Sequence, residues 1–133
     1  MYEDLPAIAD PQTYAVIGVG MRVHTGLGSG FPESVYQEAC ALELTASGIP
    51  FAQQLPISVW YNGRRLSTSY RPDFLCFDAL LVEIKALQRL GGAEVAQVLC
   101  YLKAMRLSRA LLLNFGAARL EYRRLVRTPD AMP

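Results

Sequence analysis

The segment LLVEIKAL, residues 80–87, constrains the fold of this chain most strongly, because it places two charged residues inside an otherwise apolar run. Such a run is typical of a strand in a hydrophobic sheet. Residues i and i+2 of a strand share a face, so Glu83 and Lys85 project together. A charge in apolar surroundings is unfavourable unless it has a partner or a function. The segment therefore predicts a hydrophobic strand that carries a charged site.

Asp73 lies in the strand predicted just before this one, and a tight turn at residues 78–79 joins the two. If the hairpin is in register, the Asp73 carboxylate reaches the same spot as Glu83 and Lys85. Two adjacent carboxylates repel each other, so the pKa of one should rise unless a cation lies between them. Oxygen ligands favour Mg²⁺ or Mn²⁺, which would polarise a phosphodiester and activate a water molecule. Lys85 would stabilise charge that develops on the phosphate.

The same three residues also fit a simpler arrangement, a cross-strand ion pair on the solvent face of a sheet. An aspartate followed later by Glu-x-Lys is frequent by chance, so the pattern alone favours the ion pair. The apolar neighbours of Glu83 count against it.

The remaining apolar pattern predicts an α/β or α+β domain with the order α-α-β-β-β-β-α-β-β. Helices are predicted over residues 12–24, 32–47 and 92–106. Strands are predicted over residues 57–61, from 65 onwards, and over 72–77, 81–86, 110–115 and 120–126. Asn62-Gly63 predicts a tight hairpin turn. We expect a single domain over residues 1–133, with an N-terminal arm at 1–11 and a C-terminal tail at 128–133.

The composition, with 52% hydrophobic and 19% charged residues, is that of a globular protein and excludes a disordered chain. No apolar run approaches the roughly 20 residues that span a bilayer. The three cysteines lack CxxC spacing, which indicates neither a disulfide framework nor a zinc site. The acidic N-terminal segment does not resemble a secretory signal. We therefore expect a cytoplasmic protein that does not bind membranes.

Charge is distributed unevenly along the chain. Residues 1–63 contain one basic residue and six acids, whereas residues 64–127 contain twelve basic residues and five acids. Such asymmetry hints at a surface that faces a polyanion. A solvated basic face without a partner fits the charge pattern at least as well.

The motifs Pro72-Asp73 and Glu83-Ile84-Lys85 resemble the signature of the PD-(D/E)XK nuclease superfamily. The segment GFPESVY, residues 30–36, resembles the motif of the GxxExxY proteins, a bacterial family placed in that superfamily. Further similar segments follow in the family's order, at residues 24–44, 54–63, 97–103 and 113–116. The resemblance covers residues 12–127.

The resemblance implies a restriction-endonuclease-like core, in which helices flank a central mixed sheet and the site lies at one edge. It implies a nuclease that hydrolyses phosphodiester bonds of nucleic acid with Mg²⁺ or Mn²⁺. The motif residues do not distinguish DNA from RNA, and we expect DNA more than RNA. The implied metal ligands are Glu33, Asp73, Glu83 and the backbone carbonyl of Ile84. The implied catalytic residues are Lys85, Gln97 and Tyr101.

Gln97 and Tyr101 resemble the QxxxY element of RecB-like nucleases, and their spacing puts both on one helix face. Gln97 would bond the active-site lysine or the substrate, and Tyr101 would contact the nucleic-acid backbone. Both residues also fit the boundary between the polar and apolar faces of an ordinary helix.

Several other candidates have structural interpretations. Glu33 falls in the first turn of a helix, where the helix dipole alone favours an acid. Tyr36 fits a core tyrosine, and His24 fits a helix-end histidine better than a ligand. Trp60 fits sheet packing better than base stacking.

Three functions remain. The first is a metal-dependent nuclease. The second is a catalytically silent binding or assembly module that kept the nuclease fold, which the small size and the lack of a recognition domain favour. A third and weaker one is a regulatory protein that uses the glycine loop at residues 26–30 as a phosphate nest. A nuclease this small would need a homodimer or a protein partner to bind nucleic acid tightly.

Overall fold

The computed structural model describes residues 9–128 of the 133-residue chain. Its helices are α1 (Pro11–Leu27), α2 (Glu33–Ala46) and α3 (Gly92–Met105). Its strands are β1 (Phe51–Gln53), β2 (Ile57–Tyr61), β3 (Arg64–Tyr70), β4 (Phe74–Cys76), β5 (Leu80–Lys85), β6 (Arg109–Asn114) and β7 (Glu121–Val126). Within the described residues, no helix is both long enough and apolar enough to cross a membrane.

The predicted helices and strands are all present, with their ends shifted by a few residues. The structure adds β1, which is too short to show a pattern and forms by pairing with β4. The N-terminal arm extends less far than the predicted residues 1–11, because Asp10 caps α1 and Pro11 begins it. Residues 1–8 of that arm and residues 129–133 of the predicted tail lie outside the described residues.

Five strands form one mixed sheet in the order β1-β4-β5-β6-β7, with β5 at its centre. β5 and β6 are parallel, and the other neighbouring strands are antiparallel. A parallel pair needs a crossover connection, which α3 supplies. The result is the mixed sheet flanked by helices that the resemblance implied.

Helices cover both faces of this sheet. Val82 and Ile84 of β5 pack in a core with α1 and α2, whereas Leu81 packs in a second core with α3. This alternation is the two-residue period of a strand. Glu83 therefore lies on the α3 face with Leu81, opposite to Val82 and Ile84.

β2 and β3 form a separate antiparallel pair that leaves the main sheet after β1 and returns at β4. Its turn, Asn62-Gly63, has φ angles of 48° and 74°, the left-handed values that a tight hairpin requires. The base of the pair packs on the α3 side, where Ile57 joins the core. The rings of Tyr70 and Tyr101 lie 5.1 Å apart.

The outer part of the hairpin is uncovered, since residues 60–69 are all exposed. Trp60 is 64% exposed, so the expectation that it packs against a sheet is wrong. The reason is that no second layer of the described chain covers this part of the hairpin, and the residue opposite Trp60 is the exposed Arg65.

Asp10 ties the start of α1 to the sheet. Its carboxylate accepts from the backbone N–H of Thr13 at 3.1 Å and from Arg109 and Arg124, each at 2.7 Å. Burial raises the pKa of Asp10, but the hydrogen bonds from Thr13 and Arg124 and the charge of Arg109 together hold the pKa below its ordinary value. Part of the basic excess of the C-terminal half is therefore engaged within the fold.

Replacing Asp10 with Asn should destabilise the protein by about 3 kcal/mol at neutral pH, because two arginines lose their counter-charge. Since the folded pKa of Asp10 is depressed, its stabilising contribution is present above the ordinary value of 3.8 and is lost as the pH falls through the folded pKa. Urea unfolding at a series of pH values should show the wild type and Asp10→Asn converging below about pH 4.

Asp78→Asn, in an exposed turn, is the matched control and should unfold like the wild type. An Asp10→Asn protein that equals the wild type at neutral pH would show that the Asp10 ion pairs contribute no stability.

Candidate active site

Asp73 and Glu83 hold each other through the backbone at the centre of the sheet. The backbone N–H of Asp73 donates to Glu83 Oε1 at 2.7 Å, and that of Ile84 donates to Asp73 Oδ2 at 2.8 Å. The pairing of Phe74 with Val82 explains this, because it places the two acids opposite each other. Both acids are buried, at 6% and 5% exposed, so the interpretation as a solvent-face ion pair is wrong.

It is unfavourable for Asp73 and Glu83 to be ionised at the same time. Burial, together with the charge of Asp73, raises the pKa of Glu83 to about 8. Burial, with a smaller contribution from the charge of Glu33, outweighs the hydrogen bond from the N–H of Ile84 and raises the pKa of Asp73 to about 6. The positive charge of Lys85 lowers both pKa values, but burial outweighs it. The pair therefore favours retaining a proton unless a cation compensates its charge.

Lys85 reaches from β5 to α3. Its Nζ donates to Gln97 Oε1 at 2.7 Å, which is the lysine contact that the QxxxY resemblance implied. Tyr101, one turn further along α3, is only 7% exposed. Burial raises the pKa of Tyr101 to about 12, with the charge of Glu83 adding to the increase. The Tyr101 ring thus lies buried beside the acids rather than on the surface.

Two glutamines without a predicted role complete the surroundings of Asp73. Gln37 Nε2 donates to Asp73 Oδ1 at 2.7 Å and to Glu33 Oε1 at 3.2 Å. Gln54 Nε2 donates to the same oxygen of Asp73 at 3.3 Å. The i, i+4 spacing of Glu33 and Gln37 on α2 is a signal that could have indicated the contact between these two residues. Nothing in the sequence indicates the contact of Gln54 with Asp73, because it arises from the pairing of β1 with β4.

Within residues 9–128, no three His, Cys, Asp or Glu side chains are grouped closely enough to hold a metal ion. Glu33 is exposed at the start of α2, and an amide joins it to Asp73. Glu83 Oε2 accepts no hydrogen bond from the described residues. In a strand the N–H and C=O of one residue point to the same side, so the carbonyl of Ile84 faces β4, as its N–H does.

Tyr36 explains the GxxExxY-like segment in structural terms. Its side chain is fully buried, and its ring stacks on Phe115 with a centroid distance of 4.8 Å. Its hydroxyl donates to the carbonyl of Gly28 at 2.6 Å and accepts from the N–H of Phe31 at 3.2 Å. These contacts fix the loop before α2 and thereby position Glu33. Tyr36 is the core tyrosine that was predicted.

His24 lies in the last turn of α1, as predicted, and stacks against Phe115 at 6.1 Å between ring centroids. Its Nε2 bonds the carbonyl oxygen of Ala117 at 3.0 Å. These contacts give His24 a structural role.

The loop from β5 to α3 is held by Asn114, which is fully buried at the end of β6. Asn114 exchanges two hydrogen bonds with the backbone of Leu87, at 2.8 and 2.9 Å. It also donates to Glu121, which accepts from the N–H of Leu90 at 2.7 Å. Gly116 passes the Leu87 backbone so closely that a side chain would collide with it. This network sets the start of α3 relative to β5, and no local signal in the sequence predicts it.

A comparison with protein families matches residues 10–125 to the PD-(D/E)XK nuclease superfamily. The match covers most of the chain, so the protein belongs to this superfamily. The mixed five-stranded sheet with three helices is consistent with the superfamily core. Searches of curated proteins and of solved structures found no significant match. The narrower resemblance to the GxxExxY proteins stays a prediction.

Replacing Glu83 with Gln should stabilise the metal-free protein at alkaline pH, because Gln keeps the Oε1 acceptor and removes a buried charge. A carboxyl whose folded pKa is raised binds more protons when folded, so its presence lowers stability as the pH rises from 4.5 towards about 8. In EDTA, the free energy of unfolding of Glu83→Gln should exceed that of the wild type by on the order of 1 kcal/mol near the upper end of this range.

Thermal unfolding across that pH range measures the effect, and the exposed Glu38→Gln is the matched control. If the stability of the wild type and of Glu83→Gln changed with pH in the same way, the ionised carboxylate of Glu83 would not destabilise the fold.

Replacing Gly116 with Ala should destabilise the protein by about 3 kcal/mol or more, because the new Cβ collides with the backbone of Leu87. Gly26→Ala is the matched control, since its Cβ meets nothing within 4 Å and the position is helical. Urea denaturation should show Gly26→Ala at least as stable as the wild type. A Gly116→Ala protein of unchanged stability would show that the loop adjusts freely.

Proposed function

We propose that the protein is a metal-dependent nuclease that hydrolyses phosphodiester bonds of nucleic acid, specifically of DNA. The buried pair of Asp73 and Glu83 carries this proposal, because its charges are unfavourable without a cation. Buried acids with strongly raised pKa values are more typical of functional sites than of structural ones. Membership of a nuclease superfamily and the adjacent, oriented Lys85 support the same function.

The donor atoms fit Mg²⁺ or Mn²⁺, because they are carboxylate and carbonyl oxygens without thiolate or imidazole. The ion would be held by Asp73, Glu83 and the carbonyl of Ile84. Glu33 would join them once the amide of Gln37, which now donates to both carboxylates, moves aside. When bound, the metal polarises the scissile phosphate and lowers the pKa of a water molecule.

Lys85 supplies a positive charge beside the acids. Its Nζ would donate to a phosphate oxygen or to the attacking water, and so stabilise negative charge in the transition state. Gln97 orients the ammonium group through the 2.7 Å hydrogen bond. The buried Tyr101 would act as a positioning residue, which holds α3 against the base of the β2–β3 hairpin.

A second candidate is a binding or assembly module that keeps the fold without turnover. The contacts of Gln37 and Gln54 with Asp73 favour it, because amides already satisfy the carboxylate in the absence of a cation. Such a module does not require a metal. Metal binding and cleavage therefore separate the two candidates.

Lys85→Ala and Asp73→Asn should each reduce cleavage of a DNA substrate in Mg²⁺ or Mn²⁺ by at least about a hundredfold, because each removes transition-state charge stabilisation. Gel analysis of labelled single- and double-stranded DNA, with RNA in parallel, measures the rates. Lys103→Ala, an exposed lysine in the last turn of α3, is the matched control and should cleave like the wild type.

Full activity in both site variants would overturn the assignment of these residues. A wild-type protein that binds neither metal ion and cleaves none of the substrates would instead support the module.

A further inference from the structure

The β2–β3 hairpin rises directly from the candidate active site. We define residues 55–71, which contain this hairpin, as the arm; it is distinct from the N-terminal arm of residues 1–11. Before the arm, Gln54 donates to Asp73 through both its backbone N–H, at 3.1 Å, and its side chain, at 3.3 Å. After the arm, the chain passes through Pro72 straight into Asp73. Both ends of the arm therefore meet at one of the two buried acids.

The arm has an unusual composition for a surface hairpin. It contains three arginines and no acid, and the nearest acids in the sequence are Glu43 and Asp73. Its arginines, Arg64, Arg65 and Arg71, are all exposed and make no ion pair among the described residues. By contrast, several arginines of the C-terminal strands bind acids of the fold. The arm thus carries cationic charge that the fold does not use.

Two large aromatic residues accompany these arginines at the tip. Trp60 is 64% exposed and Tyr61 is 67% exposed. Neither makes a ring contact with another aromatic residue of the described chain. Trp60 lies opposite Arg65, and Tyr61 lies opposite Arg64. Directly opposed residues of a hairpin share a face, so each face of the tip presents one aromatic ring beside one guanidinium group.

We propose that the arm binds single-stranded nucleic acid and guides the strand to the acids at its base. Aromatic rings stack on bases whose faces are exposed, which a single strand offers and a duplex does not. The neighbouring guanidinium groups match phosphates in charge and geometry. A ligand that is both polyanionic and rich in flat apolar faces fits this surface, whereas a second copy of the arm would add three more arginines and no acid.

The base of the arm connects this surface to the site. Tyr70 packs on Tyr101 at 5.1 Å, and the charges of Glu83 and Asp73 act on Tyr101. From the pair Ile57 and Tyr70 to the tip, the strands extend about 13 Å at roughly 3.3 Å per residue. The inference rests on the proposed function for its ligand, since it names the form of nucleic acid that this site receives.

The test measures binding of the full chain to a short fluorescein-labelled oligothymidylate by anisotropy in EDTA, so that cleavage does not interfere. Trp60 is the only tryptophan, so its intrinsic fluorescence reports directly on stacking. The single strand should quench this fluorescence and bind more tightly than its duplex with oligoadenylate. Trp60→Ala combined with Tyr61→Ala should weaken binding at least about tenfold. Trp60→Phe, which keeps a stacking ring, should retain most of the affinity.

Arg64→Ala combined with Arg65→Ala should weaken binding and reduce the slope of log affinity against log salt by about 1.4, since each phosphate contact on a single strand contributes about 0.7. Tyr14→Ala and Lys103→Ala are the matched controls, because both side chains are exposed and lie outside the arm. Both should bind like the wild type.

The inference is overturned if the wild type does not bind the single strand, or if it binds without quenching and the aromatic variant binds equally well. Self-association that depends on Trp60 and occurs without oligonucleotide binding would also overturn it and assign the surface to a second copy of the chain. Wild-type binding that the arm variants lose, in a protein that cleaves nothing in Mg²⁺ or Mn²⁺, would remove the proposed function and keep the arm. Cleavage and binding that survive in the arm variants would support the proposed function and overturn the role of the arm.

Discussion

The structure of the site depends on the two reciprocal hydrogen bonds between Asp73 and the strand β5. The Glu83 carboxylate accepts from the backbone N–H of Asp73, and the Asp73 carboxylate accepts from the backbone N–H of Ile84, next to Glu83 in the central strand. These bonds tie Asp73, which directly precedes β4, to Glu83 and Ile84 in the central strand β5. They also place two carboxylates in a low-dielectric interior, where like charges raise each other's pKa. The fold thus stabilises the positions of the two groups while it destabilises their combined charge, which is the condition that a bound cation would relieve.

Four amide side chains set the geometry around this pair. The amide of Gln37 comes from α2 and donates to one oxygen of Glu33 and one of Asp73. The side chain of Gln97 comes from α3 and orients the lysine. Asn114 fixes the loop that connects β5 to α3, and the arm enters through Gln54. Each of these residues is an amide, which satisfies carboxylate, ammonium or backbone groups without adding charge to a site whose charge is already unfavourable.

The features predicted from the sequence are those that arise locally. Asp73 and Glu83 converge because a strand alternates its faces and a tight turn fixes the pairing, and both signals lie within a few residues. Contacts between distant segments had no such signal: Gln54 reaches the site through a three-residue strand, and Asp10 binds arginines about a hundred residues away. The residue pattern correctly predicts that Trp60 lies in a strand. It does not show whether another layer covers that strand, and for this reason the prediction that Trp60 packs against a sheet is wrong.

The most direct measurement for the central claim is the anomalous scattering of Mn²⁺ in crystals of the full chain grown or soaked with the metal. Metal binding at the buried pair predicts one strong peak between the carboxylates of Asp73 and Glu83, with Gln37 Nε2 no longer within hydrogen-bond distance of Asp73. The site would not be a metal centre if saturating Mn²⁺ gave no peak there and the hydrogen bonds from Gln37 and Gln54 to Asp73 remained in place.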